Sequence, residues 1–199
     1  VDGQSVERVK ANLNWELEKL HGQLRNGSYQ PLSVRRCWIP KLGSHEKRPL
    51  GIPAVRDRIV QGAVRNVIEP IFENAFAEHS YGFRPGRGCR DALRRVQHLL
   101  TQGYTWVVDV DFKAYFDTIP HDRLMEGVAE LISDGRVLDL LGKYLKAGVM
   151  DGVKGWEPTE QGTPQGAVIS PLLANLYLNP LDHLMATAGL AMTRYADDF

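Results

Sequence analysis

Apolar residues recur at three- and four-residue steps at Val6, Val9, Leu13, Leu17, Leu20 and Leu24, the spacing that lines one face of a helix, and Asn26-Gly27 supplies its stop. One continuous amphipathic helix is predicted there. Val34 to Ile39 reads as a strand, Lys41 to Lys47 as a polar turn, and Pro49 to Pro53 as the return strand of a hairpin. Helical spacing resumes from Arg56 to Glu69 and again from Arg90 to Leu100, after a Gly- and Pro-rich loop over 82–88. Thr105 to Phe112 is rich in β-branched and aromatic residues and reads as a strand. Helices are expected over Asp122–Ile132 and Arg136–Lys146, and a short strand pair over roughly Val149–Glu157. Ser170-Pro171 opens a long apolar helix to about Thr187, with proline where helices tolerate it, and Met192–Tyr195 reads as a last strand. This order of elements predicts an α+β protein without repeats or a flexible linker.

Charge changes the picture. Net charge is zero, yet residues 1–102 carry 17 Lys+Arg against 10 Asp+Glu, and residues 103–199 carry 7 against 14. A basic half suits phosphates, and an acidic half suits divalent cations where its carboxylates converge. No apolar run approaches the roughly 18 residues of a membrane span, and no leader pattern is visible, so the expectation is a soluble, cytoplasmic protein with no membrane partner. Cys37 and Cys89 lack His or Cys neighbours at zinc spacing and read as free thiols.

The candidate chemistry is carboxylate chemistry. Tyr195-Ala196-Asp197-Asp198 places two acids side by side at a strand end, where they repel unless cations compensate, and Mg²⁺ is the obvious compensator. Trp106-Val107-Val108-Asp109-Val110-Asp111 ends in a second acidic cluster. Nucleotidyl transfer with two metals about 4 Å apart needs acids from two separate segments. Asp109 and Asp111 share one strand face, so period-two geometry does not choose between them.

Asp111, Phe116 and the Tyr-Ala-Asp-Asp tetrapeptide, in that order, resemble the metal-binding motifs of reverse transcriptases. Further segments narrow the resemblance to the group II intron branch: Ile39-Pro40-Lys41, the run 48–58, Ser80 to Arg87, Gln161-Gly162-Thr163-Pro164-Gln165-Gly166 and Ser170 to Asn175. The resemblance implies the fingers (1–104) and palm (105–199) of a right-hand polymerase, with an antiparallel palm sheet flanked by helices. It implies Asp111, Asp197 and Asp198 as catalytic residues and, with Phe112, as the set around two Mg²⁺ ions, for which Mn²⁺ is a possible substitute. Asp109 takes a supporting role. Lys41 and Arg48 would meet the incoming triphosphate, Gln165 would sit beside the nucleotide sugar, and Phe116 would exclude a 2′-hydroxyl. Arg84, Arg87 and Tyr195 would touch nucleic acid.

The implied partners are an RNA template, a DNA primer, dNTPs and intron RNA. No oligomeric state is legible. Two rival readings share the scaffold. An RNA-dependent RNA polymerase is expected to hold a polar group near position 116, where this chain has phenylalanine. A non-catalytic splicing cofactor has no reason to keep three mutually repulsive carboxylates together. The resemblance also predicts a thumb and a further strand beyond Phe199, and the expectation is therefore a truncated chain.

Overall fold

The computed structural model describes residues 2–40, 43 and 47–199. Among these described residues, eight helices and four strands follow one another as α1 (Val6–Ala11), α2 (Leu13–Arg25), β1 (Val34–Pro40), β2 (Lys47–Ile52), α3 (Val55–Glu73), α4 (Cys89–Thr101), α5 (Tyr115–Thr118), α6 (His121–Leu131), α7 (Gly135–Leu145), β3 (Val149–Asp151), β4 (Gly155–Glu157) and α8 (Ser170–Thr187). The α+β class is as expected. The N-terminal helix is two pieces, because Asn12 leaves helical geometry at φ −122°, ψ 31°. Of its apolar stripe only Val9 and Leu20 are buried, so little tertiary packing opposes the break.

The hairpin β1–β2 forms in the register Cys37↔Leu50 and Ile39↔Arg48. Its sheet grows by β3, parallel to β1, and then by antiparallel β4, in the order β2-β1-β3-β4. Arg36 crosses this sheet to Glu157 at 2.6 Å. The sheet is thus a mixed one, in which residues assigned to the two halves of the chain pair together.

The main core gathers Ile68 and Phe72 of α3, Tyr115 of α5, Leu124 and Val128 of α6, Leu141 and Leu145 of α7, and most of α8. Helix α8 is apolar nearly all round and is accordingly the central helix. Helix α3 runs past the expected end at Glu69, through Pro70, to Glu73. There, Ile68 and Phe72 bury on either side of the proline, and that packing outweighs the lost hydrogen bond.

Two expected strands do not form. Over 104–109 no ladder is present among the described residues; Trp106 is 95% exposed and Val108 82%. Pairing begins only at Val110, which exchanges backbone hydrogen bonds of 2.8 and 3.0 Å with Phe199, and at the bridge Asp111↔Asp198. Met192–Tyr195 is likewise reduced to bridges, Arg194 to Ser80 and Tyr195 to Asp198. A strand is stable only where a neighbour takes its hydrogen bonds, and propensity alone does not hold one.

Candidate active site

The tetrapeptide at 195–198 is a tight turn. Tyr195 and Asp198 exchange N–H···O bonds of 2.8 and 3.2 Å, and Ala196 takes a left-handed φ of 61°. Asp198 and Phe199 then pair antiparallel with Asp111 and Val110, so the turn brings the three acids of two distant segments onto adjoining backbone. Partial burial, and then the neighbouring Asp111 and Asp198 charges, raise the Asp197 carboxyl above its ordinary range, against a backbone hydrogen bond and Arg194. Among the described residues, no three His, Cys, Asp or Glu side chains converge into a finished ligand set. Both the Asp111 and the Asp198 charges act on Asp197 across the turn. Carboxylate oxygens under such pressure are the hard donors that Mg²⁺ takes.

What holds the turn is Arg194. Its side chain is 1% exposed and forks onto Asp182 of α8 at 2.8 and 2.5 Å, while Nη1 donates to Asn175 Oδ1 (3.0 Å) and to the Ala196 carbonyl (2.7 Å). Asn175 Nδ2 in turn donates to the Gly82 carbonyl at 2.7 Å. Gly82 presses so close to the turn that a Cβ there would lie 2.3 Å from the Ala196 nitrogen. Asn179 of α8 holds the same loop lower down, at Ala75 and Ala77. Asn175, Asn179 and Asp182 form a polar stripe at helical spacing on an otherwise apolar helix. That stripe is visible in the sequence and was the available signal for these residues.

The second wall is α5. Ala114 enters it at φ 53°, and the Tyr115 hydroxyl donates to the Ala174 carbonyl at 2.7 Å, fixing the short helix to α8. Phe116 is half-buried, edge-on to Tyr115 at 5.7 Å and to Phe83 at 6.4 Å. Phe112 packs at a tilt between Tyr115 (5.9 Å) and Phe199 (5.4 Å), so its ring is used in packing beside Asp111.

The loop Gln161–Gly166 is stapled on both sides. Thr163 N–H donates to the Phe116 carbonyl (2.7 Å), Gly162 N–H to Ile119 (2.7 Å), and His121 Nε2 meets the Gly162 carbonyl at 2.8 Å. On the other side Gly51 N–H donates to the Gln165 carbonyl at 2.7 Å. Gly162 at φ 85° has no room for a Cβ, which would lie 2.8 Å from the Asp117 carbonyl oxygen. Gln165 consequently lines a cleft of about 610 Å³ between the hairpin and this loop, together with Arg36, Trp38, Leu50 and Asp117. Burial raises the Asp117 carboxyl, and Arg36 acts against it. Asp111, Asp197 and Asp198 stand outside this cleft.

The remaining candidates divide. Arg48 is exposed on β2, next to Pro49 at the cleft. Lys41 lies outside the described residues. Tyr195 is exposed at the turn, and Arg87, half-buried, donates to the Glu78 carbonyl. Arg84 is a correction: it is buried, paired with Glu73 at 3.0 Å and donating to the carbonyls of Ala77 (2.6 Å) and Ser80 (2.9 Å). Its guanidinium anchors the loop and is not presented to a phosphate.

Residues 39–199 match the family described as reverse transcriptase (RNA-dependent DNA polymerase). The chain is 47% identical to protein YkfC of Escherichia coli (strain K12) over 93% of its length, which is 49% of that protein. It is 41% identical to the group II intron-encoded protein LtrA of Lactococcus lactis over 97% of its length, 31% of that protein. It therefore spans less than half of the length of either relative. A solved Cas6-RT-Cas1–Cas2 complex contains a chain that superposes on all of it with a TM-score of 0.59 at 27% identity, over 33% of that chain.

Proposed function

The chain belongs to the reverse transcriptase family, in the branch of group II intron-encoded proteins, and from that premise we propose that it carries the nucleotidyl-transfer site of an RNA-directed DNA polymerase. The observation that carries the reading is the pairing of Asp111 with Asp198 across the turn that presents Asp197. Asp111, Asp197 and Asp198 hold the divalent cations, Mg²⁺ by hardness and Mn²⁺ as a substitute. Held there, such ions would supply the Lewis acidity that nucleotidyl transfer from a primer 3′-hydroxyl needs.

The chain's own residues supply position. Arg48, with Lys41, meets the triphosphate from the basic hairpin. Phe116 stands against the sugar C2′, where a rigid ring leaves no room for a hydroxyl, and Gln165 lies on the sugar side of the cleft. Arg87 and Tyr195 contact template or primer. Intron RNA is the natural further partner, since LtrA is named as a group II intron-encoded protein.

Replacing Asp197 by Ala in the full-length protein is expected to lower Mg²⁺-dependent DNA synthesis on an RNA template to less than about one hundredth, with RNA affinity retained, because metal ligands serve chemistry and the basic surface serves binding. Primer extension alongside filter binding reads both. Synthesis at wild-type rate would overturn the assignment.

A further inference from the structure

Phe83 is an anomaly on three counts. Its backbone has a left-handed φ of 56°, a region that L side chains with a Cβ rarely adopt. The residue is 47% exposed, so burial does not explain a phenylalanine in that conformation. It meets Phe116 edge-on, with ring centroids 6.4 Å apart and planes at 86°.

The chain is fixed on both sides of it. Gly82 abuts Ala196, with its carbonyl held by Asn175; Tyr81 N–H donates to the Arg194 carbonyl at 2.9 Å; and Arg84 is tied to Glu73. A strained residue persists only where its surroundings over-determine it, and such residues cluster at ligand contacts. The backbone therefore aims this ring and leaves it little freedom to swing away. Phe116 is bounded by Tyr115 on one side and by Phe83 on another, and its carbonyl is held by Thr163.

We propose that Phe83 is a specificity-determining residue: its ring braces Phe116 against displacement, so that rejection of a 2′-hydroxyl is a property of two rings and not of one. The inference rests on the proposed role of Phe116. A gate that yields is a poor discriminator, because a clash is relieved when the clashing group can retreat. The same loop is locked to the turn carrying Asp197 and Asp198, so brace and metal ligands share one support.

The test is competitive incorporation of dNTP and rNTP by the full-length protein, scored as the ratio of kcat/KM values, for wild type, Phe116→Ala, Phe83→Asn and Phe83→Tyr. Asparagine tolerates a left-handed φ and deletes the ring, whereas tyrosine keeps the ring. Phe83→Asn is expected to lower discrimination about tenfold or more through a rise in rNTP kcat/KM, a gain that loss of folded protein cannot produce, with Phe83→Tyr near wild type. If Phe116→Ala relaxes discrimination and Phe83→Asn does not, the brace is refuted and the gate stands. Equal loss with both nucleotides would make Phe83 purely structural and also refute it. If Phe116→Ala keeps full discrimination, the gate reading fails first, and the brace with it.

Discussion

Among single residues, Arg194 carries the most. Its pairing with Asp182 is fully desolvated, and a charge left alone in that position costs far more than the pair contributes. Arg194→Gln is expected to destabilise the polymerase portion by about 3–5 kcal/mol, and the double change Arg194→Met with Asp182→Leu to recover part of that loss, because it strands no charge. Urea unfolding of the single and double variants measures the difference. A double variant no better than Arg194→Gln would mean that the hydrogen bonds to Asn175 and the Ala196 carbonyl, rather than the ion pair, hold the site. In the sequence Arg194 looks like one more residue of a short strand. Its importance comes from an aspartate twelve positions earlier, and only a buried polar stripe on α8 hints at it.

At the level of elements, helices were the most legible part. Periodic burial set α3, α4, α6, α7 and α8 to within a few residues, and the hairpin β1–β2 followed from alternation around a polar turn. The strands over 105–112 and 192–195 were misjudged because β-propensity reports a fit to a neighbour and cannot supply the neighbour. That acids of the two motifs come together was the expectation of the family resemblance; that the backbone bridge falls on Asp111 and Asp198 was not legible. Close approach was not legible: Gly82 reads as a loop glycine, yet its missing Cβ lets the 79–82 segment lie on the turn that carries Asp197 and Asp198. Gly82→Ala is expected to push that turn by a fraction of an ångström to an ångström and to lower kcat about a hundredfold, with the helical circular-dichroism signal retained. Steady-state extension kinetics decide it; an unchanged kcat would show that the loop, and not the turn, gives way.

Over the whole molecule, the opposite charge on the two halves of the sequence suits them, under the proposed function, to separate tasks: phosphate contact for one and metal chemistry for the other. RNA affinity is accordingly expected to fall linearly in log–log with salt, by about a hundredfold between roughly 50 and 200 mM if about five phosphates of single-stranded RNA are engaged. Titration of labelled RNA at graded salt measures the slope, and a flat response would remove the basic half from the binding surface. The division is not a separation, because β1 of the first half and β3 and β4 of the second share one sheet.

That shared sheet sets a mechanical limit on the hairpin. β1 is clamped to β3 at Val34 and Arg35, and β2 is pinned to the Gln165 carbonyl at Gly51, so the root of the hairpin is immobilised on both strands. Any swing toward a nucleotide pivots beyond Gly51. Arg48 lies three residues out, a lever arm of about 10 Å at strand spacing, so that a tilt of about 10° carries its backbone only about 2 Å. If Arg48 meets a triphosphate as proposed, so short an arm allows fine adjustment and not wholesale opening; the rest of the travel would fall to the long side chain of Arg48 itself.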